Sequence, residues 1–474
     1  MTFNSIQFLL FLPCVFVGYW LLAHYYRVQN FFVLVVSYLF YGWWDWRFLV
    51  LIAFTSAWSY LVGLIELLRW DKTPSKALLT VSLIVNLGIL GFFKYFDFFL
   101  DQAVLILDAL GFNVHVCSLK IILPVGISFY TFQALSYTID VYKRQIRPTR
   151  DPVAFFAFIS FFPQLVAGPI ERATNLLPQF LNRRTFDYPL AVQGCRQMLW
   201  GFFKKLVVAD NCAVVANCLL NDSTQSNGIA VWLGILMFSI QIYGDFSGYS
   251  DIAIGCSRLF GIKLNRNFAY PYFSRDIAEF WRRWHISLTT WFRDYVYIPL
   301  GGSRCEKWCQ MRNVFVVFLI SGLWHGANWT FVLWGVFHAT LFLPLLLSGR
   351  NKNIVTGTTC SSACDLRAML LTFFMVLIGW VFFRAKSVEE ILRWLIAMSN
   401  PFSWKSIKDV PKELWAGFGG FGLMLFVEWI NRGCFFGLER LFKSVLLRYF
   451  VYYVLIFLIF LFTPGSCNFV YFQF

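Results

Sequence analysis

Long runs of apolar residues, separated by short basic or polar stretches, dominate this sequence. A helix that crosses a bilayer needs about 20 mainly apolar residues, and these runs approach that length. The pattern therefore predicts an all-α polytopic membrane protein. No clean internal repeat appears in the order of the runs, which disfavours an inverted-repeat transporter. The predicted spans cover residues 5–23, 31–44, 48–68, 77–100, 121–141, 152–170, 193–220, 228–255, 313–324, 329–347, 366–383, 415–430 and 449–463.

The runs are interpreted as one transmembrane domain, residues 1–474, in three parts. Residues 1–120 hold the N-terminal spans, 121–348 a motif-bearing core, and 349–474 the C-terminal spans. Basic loops stay on the cytoplasmic side of a membrane. This rule predicts cytoplasmic loops and outward-facing termini, provided that the apolar run at residues 152–170 enters the membrane and returns on the same side. The predicted cytoplasmic segments are 69–76, 142–150, 181–184 and 257–312, and the weakly charged loop 221–227 fits outside.

Composition agrees with a lipid environment. Of the 474 residues, 59% are hydrophobic and 14% are charged, whereas a soluble domain carries about 25% charged residues. The net charge of +15 is expected to face anionic membrane lipid rather than nucleic acid, since basic loops collect at the cytoplasmic surface. Cys305 and Cys309 are separated by three residues, not by the two usual at zinc sites. No metal and no tightly bound cofactor are therefore expected.

The strongest candidate for chemistry is His325, in a break between two apolar runs. Gly322 and Gly326 lie close to it on either side. An ionisable side chain at bilayer depth is costly, so it indicates a functional site. Loss of hydration favours the neutral imidazole, which is a suitable general base for a hydroxyl that attacks an acyl group. The glycines are expected to let a ligand approach the backbone. The alternative is a packed histidine bonded to a neighbouring carbonyl.

A second histidine, His285, lies in an aromatic and basic segment between the apolar runs. Read as one helix, residues 275–292 place an apolar stripe opposite Glu279, Arg282 and Arg283, with an i,i+4 ion pair between Glu279 and Arg283. This pattern predicts a single amphipathic helix that lies flat at the cytoplasmic interface. Three roles stay open for His285. It lines the entrance through which an acyl donor arrives, it supports another residue, or it only anchors the helix.

Two apolar runs carry polar side chains at membrane depth. In “QIYGDFSGYSDIAIG” the two carboxylates are expected to orient a base, to bind substrate, or to form salt bridges with Arg275 or Arg293. In “SFYTFQALSYTIDVY” the polar groups either hydrogen-bond across helices or line a tunnel. The residues predicted to line the substrate path or tunnel are Gln133, Tyr137, Asp245, Ser247, Tyr249, Asp251, Trp324 and Asn328.

Five motifs together resemble the bacterial branch of the membrane-bound O-acyltransferase family that includes the membrane subunit of alginate O-acetyltransferase. They are “SFYTFQALSYTIDVY”, “FPQLVAGPIER”, “QIYGDFSGYSDIAIG”, “NFAYPYFSRDIAEFWRRWHISLTTWFRDYVYIPLGGSR” and “SGLWHGANWTFVLWG”. The resemblance covers essentially the whole chain. It implies a ring of transmembrane helices, with re-entrant and interfacial helices, around a central tunnel. It also implies that His325 is the catalytic histidine and His285 the family's second histidine.

The resemblance implies the chemistry as well. An acyl group, expected to be acetyl, passes from a cytoplasmic thioester such as acetyl-CoA or an acyl carrier toward hydroxyls of an extracytoplasmic polysaccharide. The transfer is direct or passes through an extracytoplasmic SGNH-type acyltransferase. The expected location is the inner membrane of a bacterium. Two other classes of protein stay open: a transporter or flippase for a polymer precursor, and a scaffold of a polysaccharide export complex.

Overall fold

The computed structural model of the protein describes residues 1–112, 119, 121–166, 168–220, 227–352, 363–403, 411–440 and 443–465. Most of the loop 221–227 and the last nine residues, both predicted to lie on the extracytoplasmic side, fall outside these ranges. Every regular element in the described ranges is helical, which confirms the predicted fold class.

The helices differ widely in length, and several are interrupted by turns of other types. Short 3-10 turns occupy Trp46–Phe48, Pro271–Phe273, Arg350–Lys352 and Pro401–Ser403, and π-helical turns occupy Phe203–Ala209 and Arg293–Tyr297. The α-helices are α1 Ile6–Leu21, α2 Tyr26–Gly42, α3 Leu49–Leu68, α4 Lys76–Ala109, α5 Ile127–Tyr142, α6 Pro152–Ser160, α7 Phe162–Leu165, α8 Ala173–Leu181, α9 Tyr188–Phe202, α10 Asp210–Leu220, α11 Gly228–Leu259, α12 Ile277–Arg283, α13 Ile286–Phe292, α14 Lys307–His325, α15 Trp329–Leu347, α16 Ala363–Arg384, α17 Val388–Ser399, α18 Glu413–Ile430 and α19 Val445–Phe462.

Seven helices in the described ranges are long and apolar enough to cross a membrane, so the protein is a multi-pass membrane protein. They are Trp46–Leu68, Lys76–Ala109, Gly228–Leu259, Trp329–Leu347, Ala363–Arg384, Glu413–Ile430 and Val445–Phe462. Some of the other predicted spans fall on short helices. Helix α6 has 9 residues and measures about 14 Å at 1.5 Å per residue, too little for a hydrocarbon core of about 30 Å.

The described chain forms two compact units, residues 1–191 with 256–264, and residues 192–255 with 265–474. Aromatic packing and a buried polar cluster hold the first unit. Arg184 is 6% exposed, and its guanidinium donates to the side-chain oxygens of Gln29 and Asn30 at 2.9 and 2.5 Å. A buried guanidinium requires such acceptors. The basic segment 181–184 is thereby anchored to α2.

In the second unit, glycines allow α14 to pack closely against α15. A Cβ added at Gly322 would lie 2.2 Å from the carbonyl oxygen of Phe331, and one at Gly335 would lie 2.5 Å from that of Phe318. At Gly326 an added Cβ would lie 2.2 Å from the Phe331 ring. The structure therefore corrects the sequence interpretation of Gly322 and Gly326: their open sides are filled by α15, and they serve helix packing.

Residues 275–292 form two short helices, α12 and α13, so the prediction of one continuous amphipathic helix is wrong. Trp284 is extended, with φ −96° and ψ 129°, and His285 is left-handed, with φ 41° and ψ 55°. Periodicity of apolar residues does not reveal such a break, because the stripe continues through it. The predicted ion pair is confirmed, with Arg283 Nη2 2.6 Å from Glu279 Oε1. Each helix has seven residues and is too short to span.

Candidate active site

His325 is the last residue of α14 and is buried, with 5% of its surface exposed. Three aromatic rings pack edge-to-face against its imidazole. The ring centroids lie 4.9 Å away for Trp324, 5.1 Å for Trp334 and 5.0 Å for Phe383. These rings come from α14, α15 and α16, so three helices fix the position of one imidazole and shield it from bulk water.

Trp324 joins the two histidines that the sequence singled out. Its indole lies 4.9 Å from the His325 ring and 5.8 Å from the His285 ring, centroid to centroid. His285 is 1% exposed and also contacts Phe246 of α11, at 4.6 Å and 89°. The predicted catalytic residues therefore belong to one aromatic cluster of the second unit, although 40 positions separate them in the sequence (325 − 285).

Asn267 fixes the hydrogen-bonding state of His285. Its Oδ1 lies 3.0 Å from His285 Nδ1, 3.0 Å from the Ser287 hydroxyl and 3.4 Å from the Ser287 backbone nitrogen. A backbone N–H only donates, so this amide oxygen is the acceptor and its nitrogen faces the Ser250 hydroxyl at 3.2 Å. His285 Nδ1 must then carry the hydrogen. In the neutral ring, Nε2 bears the lone pair and is the nitrogen that accepts a proton.

His285 lies outside the seven candidate spans, and its protonation follows from burial alone. Burial lowers the pKa of His285 to about 3, because the charged imidazolium loses its hydration. The ring is therefore neutral at any physiological pH. Neutrality agrees with the hydrogen bond to Asn267, in which one ring nitrogen donates and the other keeps its lone pair.

The carboxylates of α11 pair with lysines that the sequence interpretation missed. Asp245 Oδ1 lies 2.8 Å from the Lys205 ammonium, which also lies 2.8 Å from Asp210 Oδ1. Asp251 lies 2.5 Å from the Lys204 ammonium. The π-helical turn at 203–209 carries both lysines. Of the interpretations proposed from the sequence, salt bridges are observed, but with these lysines; Arg275 instead contacts Glu279 and Asp365, and Arg293 contacts Asp294.

Ser247 and Tyr249 lie beside these ion pairs on α11. Tyr249 is 1% exposed and its ring lies 5.4 Å from the Lys205 ammonium. Ser247 lines a small polar cavity of about 10 Å³, together with Lys204, Asp251 and Asn267. A cavity of this size and polarity has room for about one water molecule. Because Asn267 is also the partner of His285, the cavity adjoins the support of the second histidine.

Gln133 and Tyr137 lie on α5 in the first unit. Gln133 donates to the Phe158 carbonyl at 2.7 Å and accepts from Gln164 at 2.8 Å. The Phe158 carbonyl has no partner within its helix because the chain breaks between α6 and α7, and Gln133 satisfies it. Tyr137 is fully buried, and its ring lies 4.6 Å from that of Phe155. Both side chains take part in packing between helices; their predicted role in a substrate path stays a prediction.

Asn328 caps α15. Its Oδ1 accepts from the Thr330 backbone at 3.0 Å, and its Nδ2 donates to the Lys386 carbonyl at 2.9 Å.

The sequence interpretation did not identify Asn267 as a site residue, because only the fold brings it to His285. Lys204 and Lys205 did carry a signal. Two adjacent lysines inside the apolar run “GFFKKLVV” require buried counter-ions.

A helical multi-pass membrane protein that buries two histidines around one tryptophan fits the class of membrane-embedded acyltransferases. The profile of MBOAT, the membrane-bound O-acyltransferase family, matches residues 145–385, and the chain belongs to this family. It is therefore an O-acyltransferase enzyme, in agreement with the resemblance noted in its motifs.

Relatives extend over most of the chain. “Probable alginate O-acetylase AlgI” of Pseudomonas putida is 41% identical over 407 residues, which are 85% of this chain and 81% of the relative. “Peptidoglycan O-acetyltransferase” of Helicobacter pylori is 37% identical over 428 residues, 84% of this chain and 80% of the relative. “Teichoic acid D-alanyltransferase” of Bacillus subtilis is 28% identical over 273 residues, 55% of this chain and 69% of the relative.

Proposed function

We propose that this enzyme transfers an acetyl group from a cytoplasmic thioester, acetyl-CoA or an acyl carrier, toward hydroxyls of an extracytoplasmic polysaccharide. It acts in the inner membrane of a bacterium. The observation that carries the proposal is the burial of His325 among three aromatic rings, with Trp324 linking it to His285. An imidazole held away from bulk water at the end of a helix is suited to remove a proton from a hydroxyl.

In the proposed step, the hydroxyl oxygen of the acceptor attacks the thioester carbonyl, and His325 takes the proton of that hydroxyl. The acceptor is the molecule that first receives the acetyl group. The tetrahedral intermediate then collapses, the C–S bond breaks, and the thiolate receives the proton from the imidazolium. One ester bond replaces one thioester bond, so no further reactant is needed. His285 acts as a positioning residue, since its neutral ring is fixed by Asn267 and packs against the Trp324 indole.

The names of two relatives support a glycan hydroxyl as the final acceptor. They refer to O-acetylation of alginate and of peptidoglycan, and both polymers contain sugar chains with hydroxyl groups. A cytoplasmic thioester and an extracytoplasmic polymer lie on opposite sides of the membrane, so the acetyl group must cross it. We include in the proposal a separate extracytoplasmic SGNH-type acyltransferase, which receives the group and completes the transfer to the polymer.

Replacement of His325 by Ala tests the proposed base. We expect the O-acetyl content of the cell-surface glycan, measured as acetate released by mild alkali, to fall about 10²–10⁴-fold, the usual worth of a general base. Expression and thermal stability in detergent should stay near wild type, since one imidazole is a small part of so large an apolar fold. His24→Ala is the matched control, because His24 is exposed, and it should keep full activity.

A folded His325→Ala protein that still acetylates glycan at nearly the wild-type rate would reject the catalytic assignment. The transporter and scaffold interpretations would then be favoured. Mass spectrometry of the glycan from cells with and without the protein separates these interpretations from acyl transfer, because a transporter or scaffold changes the amount of polymer, whereas an acetyltransferase changes its acetyl content.

A further inference from the structure

The small polar cavity beside α11 is lined by charged, polar and aromatic side chains of the second unit. Lys204 and Arg266 bring two cationic groups to the lining, and Asp251 and Glu428 bring two acidic ones. An added ion would be an unpaired buried charge, so this balance suits a neutral polar molecule. The volume of about 10 Å³ limits that molecule to the size of water.

Three residues of the lining each have a buried polar atom that lacks a hydrogen-bond partner in the part of the chain that the structure describes. The atoms are Trp200 Nε1, Ser247 Oγ and Glu428 Oε1. None of these residues is more than 2% exposed, and a buried polar atom without a partner is costly. One water molecule serves all three, because it accepts from the indole N–H and donates to the hydroxyl and carboxylate oxygens.

The second oxygen of Glu428 holds a tyrosine of α11. Glu428 Oε2 accepts from the Tyr243 hydroxyl at 2.7 Å. The Tyr243 ring packs against the rings of Phe268 and Trp284, with centroids 6.0 and 6.1 Å away. These two rings also pack against each other, at 5.1 Å and 85°. One carboxyl group of α18 thus fixes the tyrosine that supports both rings.

The two supported rings belong to two segments of chain, residues 267–269 and 283–286. Two backbone hydrogen bonds of 2.9 Å join these segments. The segments also carry Asn267 and His285, whose Oδ1 and Nδ1 atoms lie 3.0 Å apart. Asn267 itself lines the small polar cavity. The orientation of the His285 ring therefore depends on how firmly Tyr243 and the cavity hold these segments.

We propose that one water molecule binds in the small polar cavity and joins Glu428 to Trp200 and Ser247, and that Glu428 is a positioning residue for His285. The proposal rests on the proposed function, in which His285 positions the catalytic histidine. With the water at one oxygen and the Tyr243 hydroxyl at the other, the carboxyl group is held at both ends. The tyrosine ring then keeps its place against the two segments.

Replacement of Glu428 by Ala tests the positioning role. The measured quantity is the initial rate at which O-acetyl groups appear on the cell-surface glycan, divided by the amount of full-length protein in the monodisperse peak. We expect this rate to fall about 2- to 10-fold, the worth of one lost hydrogen bond. Glu428→Gln should stay near wild type, because its amide still bonds both Tyr243 and the water. Glu413→Ala, on the same helix but not in the lining, is the matched control and should keep the full rate.

A double-variant cycle separates positioning from a general loss of packing. In a protein that already carries Asn267→Ala, the His285 ring has lost its own hydrogen bond, so Glu428→Ala should have little further effect. Tyr243→Phe removes only the hydroxyl and should reproduce the loss even if Glu428→Ala does not fold. A full rate in Tyr243→Phe, or losses that multiply in the double variant, would overturn the positioning role.

Failure of the proposed function would look different. An active His325→Ala protein would reject that function, whereas an inactive His325→Ala protein beside a fully active Glu428→Ala protein would reject only the role of Glu428. The water has a separate test. A structure of the purified protein that shows ordered water should contain one peak within hydrogen-bond distance of Glu428 Oε1 and Trp200 Nε1, and the absence of this peak would overturn the water site.

Discussion

Replacement of Lys205 by Met tests the buried charge cluster beside α11. The Lys205 side chain is 1% exposed, and one ammonium serves two carboxylates, Asp210 and Asp245, each at 2.8 Å. Methionine keeps most of the length of lysine but leaves both carboxylates buried without their cation. Removal of one partner from a buried ion pair costs about 3–5 kcal/mol. Because two anions share this cation, we expect the upper part of that range.

The assay is the free energy of unfolding from SDS titration in mixed micelles. Arg47→Met is the matched control, since Arg47 pairs with Asp45 at 2.6 Å but is 60% exposed. This exposed pair should contribute less than about 1 kcal/mol. The triple variant Lys205→Met/Asp210→Asn/Asp245→Asn should regain most of the lost stability, because it carries no uncompensated charge.

Two outcomes would refute this reasoning about Lys205. The first is a Lys205→Met protein within about 1 kcal/mol of wild type, which would mean that water or another cation compensates the carboxylates. The second is a triple variant no more stable than the single one, which would show that the loss comes from packing around the lysine and not from its charge.

Three other predictions address the site, the packing and the topology. Asn267→Ala should lower kcat of acyl transfer about 2- to 10-fold with little change in KM, the worth of one neutral hydrogen bond that orients His285; an unchanged kcat would contradict the positioning role. Gly322→Val should abolish a monodisperse peak in size-exclusion chromatography, since its Cβ meets backbone at 2.2 Å, whereas Gly419→Val, with no atom within 4 Å, should keep it. A cysteine at Ile146 should react with an impermeant maleimide only after permeabilisation, and labelling in intact cells would reject the predicted orientation.

The sequence was informative about the helices and about the break in the apolar runs that carries His325. Apolar runs predict the span at 329–347 with the bounds that the structure has, because this uninterrupted run is delimited by its neighbours in the chain, the capping Asn328 at its start and Ser348 at its end. The break at His325 was also predicted correctly, since glycine and asparagine end an apolar run there. Both features arise from residues adjacent in the chain.

Features that depend on contacts between distant residues were not predictable. The left-handed conformation of His285 is coupled to Asn267, which bonds its ring and, through its carbonyl oxygen, the Ile286 backbone at 2.9 Å. Lys204 and Lys205 reach Asp251 and Asp245 only because the π-helical turn packs against α11. The sequence interpretation had named Arg275 and Arg293 as the partners of these aspartates. Glycines that admit a neighbouring helix look the same in a sequence as glycines that admit a ligand.

The left-handed backbone at His285 limits which amino acids can replace it during evolutionary drift. Asn, Asp and His adopt positive φ several times more often than other residues with a side chain, and β-branched residues almost never do. Of these, Asn preserves an uncharged polar group in the buried setting, whereas Asp would bring a charge into it. Glycine retains the backbone but removes the polar side-chain group that bonds Asn267. The backbone at position 285 therefore accepts few amino acids in place of histidine. Asn is the replacement that fits the present junction between α12 and α13.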